Sequence, residues 1–212
     1  MGDFKMVKVF RGLLWLFLGL YVQLLWAETG VEKGYENVAP VQPVELAGKV
    51  EVIEFFWYGC PHCFSFEPVL NEWVKKQGDQ INYIRVPAVF SKRWGRHAKA
   101  YFTAQALDVS EQLHADFFNA IQVKKQRLET EDQLVKFFVA HGVNEQDFRN
   151  AYHSFLVDAK MRQAQSMGPR YGVTSVPTII INGKYRSNAS IAGGQSNLLG
   201  VMDQLVAVES AP

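Results

Sequence analysis

Residues 50–57 crowd Val52, Ile53, Phe55, Phe56 and Trp57 together without clean alternation, the pattern of a strand buried on both faces. From Pro61 to about Lys76 the spacing turns helical, with Phe64, Phe66, Leu70, Trp73 and Val74 as apolar residues. Pro61 suits the first helical position, and Pro68 is expected to bend the helix without ending it. Residues 81–87 alternate as a second strand, giving a strand–helix–strand unit whose strands should pair in parallel.

The pattern then changes. Residues 92–107, 110–125, 130–141 and 144–167 are all helical in period, with breaks near Asp108, Leu128 and Gly142. Thr130-Glu131-Asp132-Gln133 is a capping box, Gly142 closes that helix, Asn144 caps the next, and Gly168-Pro169 is expected to stop it. Strand signal returns at Val176–Ile181, followed by Asn182-Gly183, the strongest short hairpin signal, and Lys184-Tyr185. A last helix, about Asn197 to Val208, carries Leu198, Leu199, Met202, Leu205 and Val206 on one side. Ahead of all this, residues 28–48 are polar, with one short strand expected near Tyr35–Val38. Strand–helix–strand, then hairpin and helix, is a thioredoxin-type α/β layout, here with an all-helical domain inserted. The expected partition is 28–90 and 169–212 for the two parts of the thioredoxin-like domain, and 91–168 for the insertion.

The N-terminus has a different logic. Lys5, Lys8 and Arg11 precede an apolar stretch from Leu13 to Trp26, and Leu25-Trp26-Ala27 offers a small residue at a cut site. That is a secretory signal peptide over residues 1–27, its core shorter than the roughly 20 apolar residues that span a bilayer. Leu25 is a mediocre cleavage-box residue, so an uncleaved anchor is the alternative. Cleavage removes Lys5, Lys8, Arg11 and Asp3, leaving 19 basic residues against 20 acidic ones. Such a balance favours neither nucleic acid nor an anionic membrane surface as partner. The 185 or so residues that remain suit one domain with a sizeable insertion.

Two cysteines are all the chain has, in Gly59-Cys60-Pro61-His62-Cys63, where the first strand hands over to its helix. The pair can close into a disulfide, and the first sulfur faces the positive end of the helix. In an oxidising compartment a purely structural pair would simply stay oxidised; this spacing points to one that cycles. A metal site from Cys60, Cys63 and His62 is the weaker alternative, because ligands so close in sequence rarely close a tetrahedron.

The run Glu54–Cys63, the inserted helices, and Gly172-Val173-Thr174-Ser175-Val176-Pro177 leading into a hairpin resemble the DsbA family of bacterial periplasmic thiol:disulfide oxidoreductases. The resemblance covers essentially residues 35–208, and Cys-Pro-His-Cys is that family's own form of the motif. It implies a dithiol oxidase that donates the Cys60-Cys63 disulfide to exported proteins with free thiols. It also implies reoxidation by a quinone-linked membrane oxidase of the DsbB type, a monomer, and no bound cofactor or metal.

The resemblance assigns roles as well. Cys60 should sit exposed at the helix N-cap as the attacked sulfur, with Cys63 more covered. Pro61 and His62 should tune Cys60. Val176-Pro177 should be a cis pair packed against Cys60, with the Val176 backbone binding the client; local sequence alone would allow an ordinary trans proline. Glu54, an expensive carboxylate in an apolar strand, should lie beneath Cys63 and relay its proton, the alternative being a glutamate at a sheet margin. Trp57 and Tyr58 either line a client groove or simply pack. His97 reads as part of a solvated basic helix face, and His114, His141 and His153 share no ligand spacing. Competing functions are a disulfide isomerase or reductase, and a client-binding chaperone with little turnover. Dedicated isomerases carry an N-terminal dimerisation domain, for which residues 28–48 are too short.

Overall fold

A computed structural model describes residues 34–211; the signal peptide expected over residues 1–27 lies outside them. Five strands form one sheet: β1 (Glu36–Asn37), β2 (Val50–Phe56), β3 (Ile81–Pro87), β4 (Thr178–Ile181) and β5 (Tyr185–Ser187). Their order is β1-β5-β4-β2-β3. Helix α1 (Pro61–Gln77) crosses between β2 and β3, which pair in parallel with Val50 opposite Ile81. The β4–β5 hairpin adds antiparallel, with Ile179 opposite Glu54. Its turn is Asn182-Gly183, and both residues have positive φ, as a tight two-residue hairpin requires. A side chain at Gly183 would run into the Gln42 carbonyl.

All seven residues of β2 are buried, because both faces of the sheet are covered. Val50 and Val52, with Ile179 and Ile181, pack against Phe66, Leu70 and Trp73 of α1 and against Leu198, Met202 and Leu205 of α7 (Gln195–Glu209). Trp73 Nε1 donates to Asp203 Oδ1 at 2.7 Å, pinning α1 to α7. Ile53, Phe55 and Ile180 face the other way, toward α2 (Lys92–Ala106), α3 (Ser110–Gln122), α4 (Glu131–Ala140), α5 (Glu145–Tyr152) and α6 (Phe155–Arg170). Phe117, Phe118, Leu134, Phe138 and Phe148 make that second core. Burying each such side chain contributes about 1.5–3 kcal/mol before the entropy of ordering it.

The Thr130 capping box forms as expected, Thr130 Oγ1 accepting from Gln133 N at 3.3 Å and Gln133 Oε1 from Thr130 N at 3.2 Å. Two helix boundaries differ from the sequence pattern. The span 144–167 is two helices, not one: the chain breaks at His153, and Ser154 caps α6 by accepting from Val157 N. Phe148, Tyr152 and Val157 are all buried, so apolar spacing continues across the break and hides it. Nor does Pro169 stop α6. It lies in the last turn, where only one backbone bond is lost, and the chain turns away at Gly172 with φ 63°. Among the described residues no helix is long and apolar enough to cross a membrane.

Candidate functional site

The loop Trp57–Cys60 delivers β2 into α1. Cys60 is the N-cap in extended conformation (φ −91°, ψ 116°), Pro61 opens the helix, and no side chain caps it. The first-turn N–H groups are therefore free to face the Cys60 sulfur. Its own N–H donates to the Trp57 carbonyl at 2.9 Å. Both cysteines are reduced, with no disulfide between them, in this structure. Cys63, one turn on, is fully buried, as expected. The expected exposure of Cys60 is corrected: it is only 8% exposed, because the loop carrying Val176 lies against it. Cys60 Sγ is 3.4 Å from the Val176 carbonyl oxygen.

The two sulfurs are held in opposite protonation states. A hydrogen bond from the Cys63 thiol, helped by the backbone N–H groups of Cys63 and His62 and by the His62 charge, outweighs burial and brings Cys60 down to about 6. Burial, then the neighbouring Cys60 and Glu54, push the Cys63 thiol far up. One sulfur is an anion at neutral pH, and the other is its proton donor.

Glu54 is fully buried in the middle of β2, not at a sheet margin. Tyr83 OH donates to its Oε2 at 2.6 Å and Arg85 Nε lies 3.7 Å from the same oxygen, while Oε1 has no partner. Burial and the nearby Glu67 raise this carboxyl to about 7, against the pull of Tyr83 and Arg85.

Sequence reasoning missed the residues around it. Glu67 Oε1 accepts from Arg85 at 2.9 Å and Asn71 at 3.0 Å, and lies 3.2 Å from His114 Nε2. Burial opposes ionisation of Glu67, but His114 and Arg85 hold it below the usual carboxylate range. His114 Nδ1 is 2.8 Å from Tyr58 OH, and Gln122 donates to the Tyr58 carbonyl at 2.8 Å. The inserted helices therefore anchor the loop that carries the cysteines. One signal was available: with β2 and β3 parallel, Arg85 falls opposite Glu54.

The peptide bond Val176–Pro177 is cis, as the family resemblance implied, and Ala39–Pro40 is a second cis pair that nothing in the sequence reading marked. Val176 and Pro177 join His62, Phe66, Ser190 and Leu198 around a groove of about 260 Å³ beside α1. The sequence-selected residues thus form one site: Cys60, Pro61, His62 and Cys63 at the helix start, Val176-Pro177 across from them, and Glu54 within electrostatic reach of Cys63. His97 is a correction. It is fully buried, not on a solvated face, and its Nδ1 accepts from Trp57 Nε1 at 3.0 Å.

A family model described as "DSBA-like thioredoxin domain" matches residues 80–198. The chain is 42% identical over 179 residues to the thiol:disulfide interchange protein DsbA of Pseudomonas syringae pv. tomato, covering 84% of each. It is 38% identical over 204 residues to the DsbA of Burkholderia cepacia, covering 94% of this chain and 96% of the relative. The crystal structure of Pseudomonas aeruginosa DsbA superposes with a TM-score of 0.79 at 36% identity, over 84% of this chain and 92% of that one.

Proposed function

This chain belongs to the DsbA family of thiol:disulfide interchange proteins, and from that premise we propose that it oxidises pairs of thiols in exported proteins. One observation supports this reading above the others: Cys60 is brought down to about 6 while its partner Cys63 is pushed far up.

In the oxidised protein a client thiolate attacks Cys60, forming a mixed disulfide and expelling the Cys63 sulfur. Cys63 then takes a proton. Glu54, buried and neutral over part of the working range, is the relay that supplies it. A second client thiolate attacks the client sulfur of the mixed disulfide, and Cys60 leaves as a stabilised thiolate. Two electrons pass from the client to the Cys60-Cys63 pair; one of the client's two protons is matched by the one Cys63 takes up, and the other is released to solvent because Cys60 stays ionised. Because the reduced state is stabilised, the disulfide is a stronger oxidant by about 30 mV for each 1.4 kcal/mol. Pro61 presets the helix start, His62 adds charge and a backbone donor, and Val176-Pro177 with its groove holds the client chain.

The setting follows the same reading. The protein acts in the periplasm after export by its leader, as a monomer, and is reoxidised by a quinone-linked membrane oxidase of the DsbB type. Residues 91–168 act as an inserted helical domain on the 28–90 and 169–212 thioredoxin-like parts; the unbroken run of helices between β3 and β4 supports that partition. Incubation of the oxidised protein with a reduced, unfolded multi-thiol client tests the activity. Stoichiometric loss of client thiols, abolished by Cys60→Ala, is expected. A Cys60→Ala variant that still protects the client without oxidising it, matching the parent, would indicate a holding chaperone instead.

A further inference from the structure

Helix α2 reaches the cysteine loop through one partly buried hydrogen bond. An indole N–H can only donate, so Trp57 Nε1 donates to His97 Nδ1 at 3.0 Å. The remaining proton of the neutral ring must then sit on Nε2, which donates to the Arg127 carbonyl at 3.1 Å. Both ring nitrogens are satisfied and the ring is fully buried. Burial, helped by the Arg93 charge and opposed by the bond to the Arg127 carbonyl and by Glu129, keeps His97 neutral by bringing it down to about 4.

The indole so held is confined on its other sides. It stacks on Trp94, ring centroids 4.2 Å apart and 9° from parallel, and the Arg93 guanidinium lies 5.3 Å from its centroid. A Cβ on Gly59 would fall 2.2 Å from the six-membered ring, so the indole lies directly on the backbone one residue before Cys60. The Trp57 carbonyl in turn accepts the Cys60 N–H. The contacts run without a gap from the Arg127 carbonyl through His97 and Trp57 to Gly59 and Cys60.

We propose that His97 is a positioning residue for the disulfide chemistry: its bond to Trp57 locks the indole over Gly59 and thereby fixes Cys60 against the first turn of α1. The proposal rests on the functional reading above, since it concerns how the reactive sulfur is set. A loosened indole would let the loop shift, and the sulfur would lose part of its hold on the Cys63 and His62 donors.

The test measures thiolate titration of Cys60 and the redox equilibrium with glutathione in four proteins. These are the parent, His97→Phe, Trp57→Phe and the double variant; Trp57→Phe keeps a ring but removes the donor. Each single variant is expected to raise the Cys60 midpoint by about half a pH unit, or about threefold in ionisation constant. The glutathione equilibrium should move about threefold toward a more stable disulfide. The double variant should shift no further than either single one, and His97→Asn, whose amide oxygen can accept from the indole, should recover most of the loss. Unchanged midpoints alongside a lowered melting temperature would overturn the proposal, showing that His97 only packs. So would additive shifts. If His97→Phe does not fold, Trp57→Phe decides alone. A parent that titrates like ordinary cysteine would sink the functional reading itself, whereas a low parent midpoint with unmoved variants sinks only this inference.

Discussion

The Cys60 sulfur lies 3.4 Å from the carbonyl oxygen of Val176, 116 positions away in sequence. That contact joins the helix start to the loop before β4, and it explains why a reactive sulfur is only 8% exposed. When protonated the thiol can donate to this carbonyl, while the Cys63 and His62 backbone N–H groups favour its ionised form.

Alkylation of the reduced native protein should therefore modify Cys60 and leave Cys63 untouched, as read by mass spectrometry. The rate should stay nearly flat above neutral pH, because Cys60 is already ionised there, whereas an ordinary thiol reacts faster up to about pH 8.5. Labelling of Cys63 before unfolding would contradict the burial described.

His62→Pro removes two of the groups that favour the Cys60 thiolate, a backbone N–H and a side-chain charge. The Cys60 midpoint should rise by about one pH unit, and the disulfide should become a weaker oxidant by about 30 mV. Equal potentials for parent and variant would show that the dipeptide does not tune this site.

The gap in stability between reduced and oxidised protein should depend on pH with a definite sign. Only the reduced form has a Cys60 to ionise, with a folded value near 6 against an ordinary 9.0. Its contribution is fully present above about pH 9, shrinks as pH falls through that window, and is gone below about 6. The full span is about 4 kcal/mol in favour of the reduced state. The melting temperature of the reduced protein relative to the oxidised one should therefore climb between pH 6 and 9 in paired calorimetric scans. A gap independent of pH would contradict the assignment.

Glu54 carries the opposite sign. Its folded value, about 7, lies above the ordinary 4.5, so its neutral form contributes stability that is present below pH 4.5 and lost as pH rises through 7. Glu54→Gln should abolish that loss, which is on the order of 3 kcal/mol, and the variant should out-melt the parent above pH 7. The same variant should oxidise a dithiol client on the order of a hundredfold more slowly, for want of a proton relay to Cys63. Undiminished turnover would remove Glu54 from the mechanism.

Local chemistry made much of this legible in sequence. The doubly buried β2, the Pro61 helix start, the Thr130 box and the Asn182-Gly183 turn each announce themselves within a few residues, and the structure has them all. The site's second ring did not announce itself. Arg85, Glu67 and His114 come from β3, α1 and α3 and mean little until the sheet register and the packing of the insertion bring them together. His97 failed for the same reason: its basic neighbours Arg93 and Arg96 suggest a wet face, while the helix turn that matters points it at Trp57. The break at Ser154 was hidden because the core needs apolar residues on both sides of it.

Ultraviolet titration of the Cys60 thiolate in the reduced protein, with Cys63 replaced by alanine as a check on assignment, reaches the central claim most directly. A single transition near pH 6 in the parent is the predicted result, moving upward when the Cys63 thiol no longer donates. A transition near pH 9, or no thiolate below it, would contradict the account.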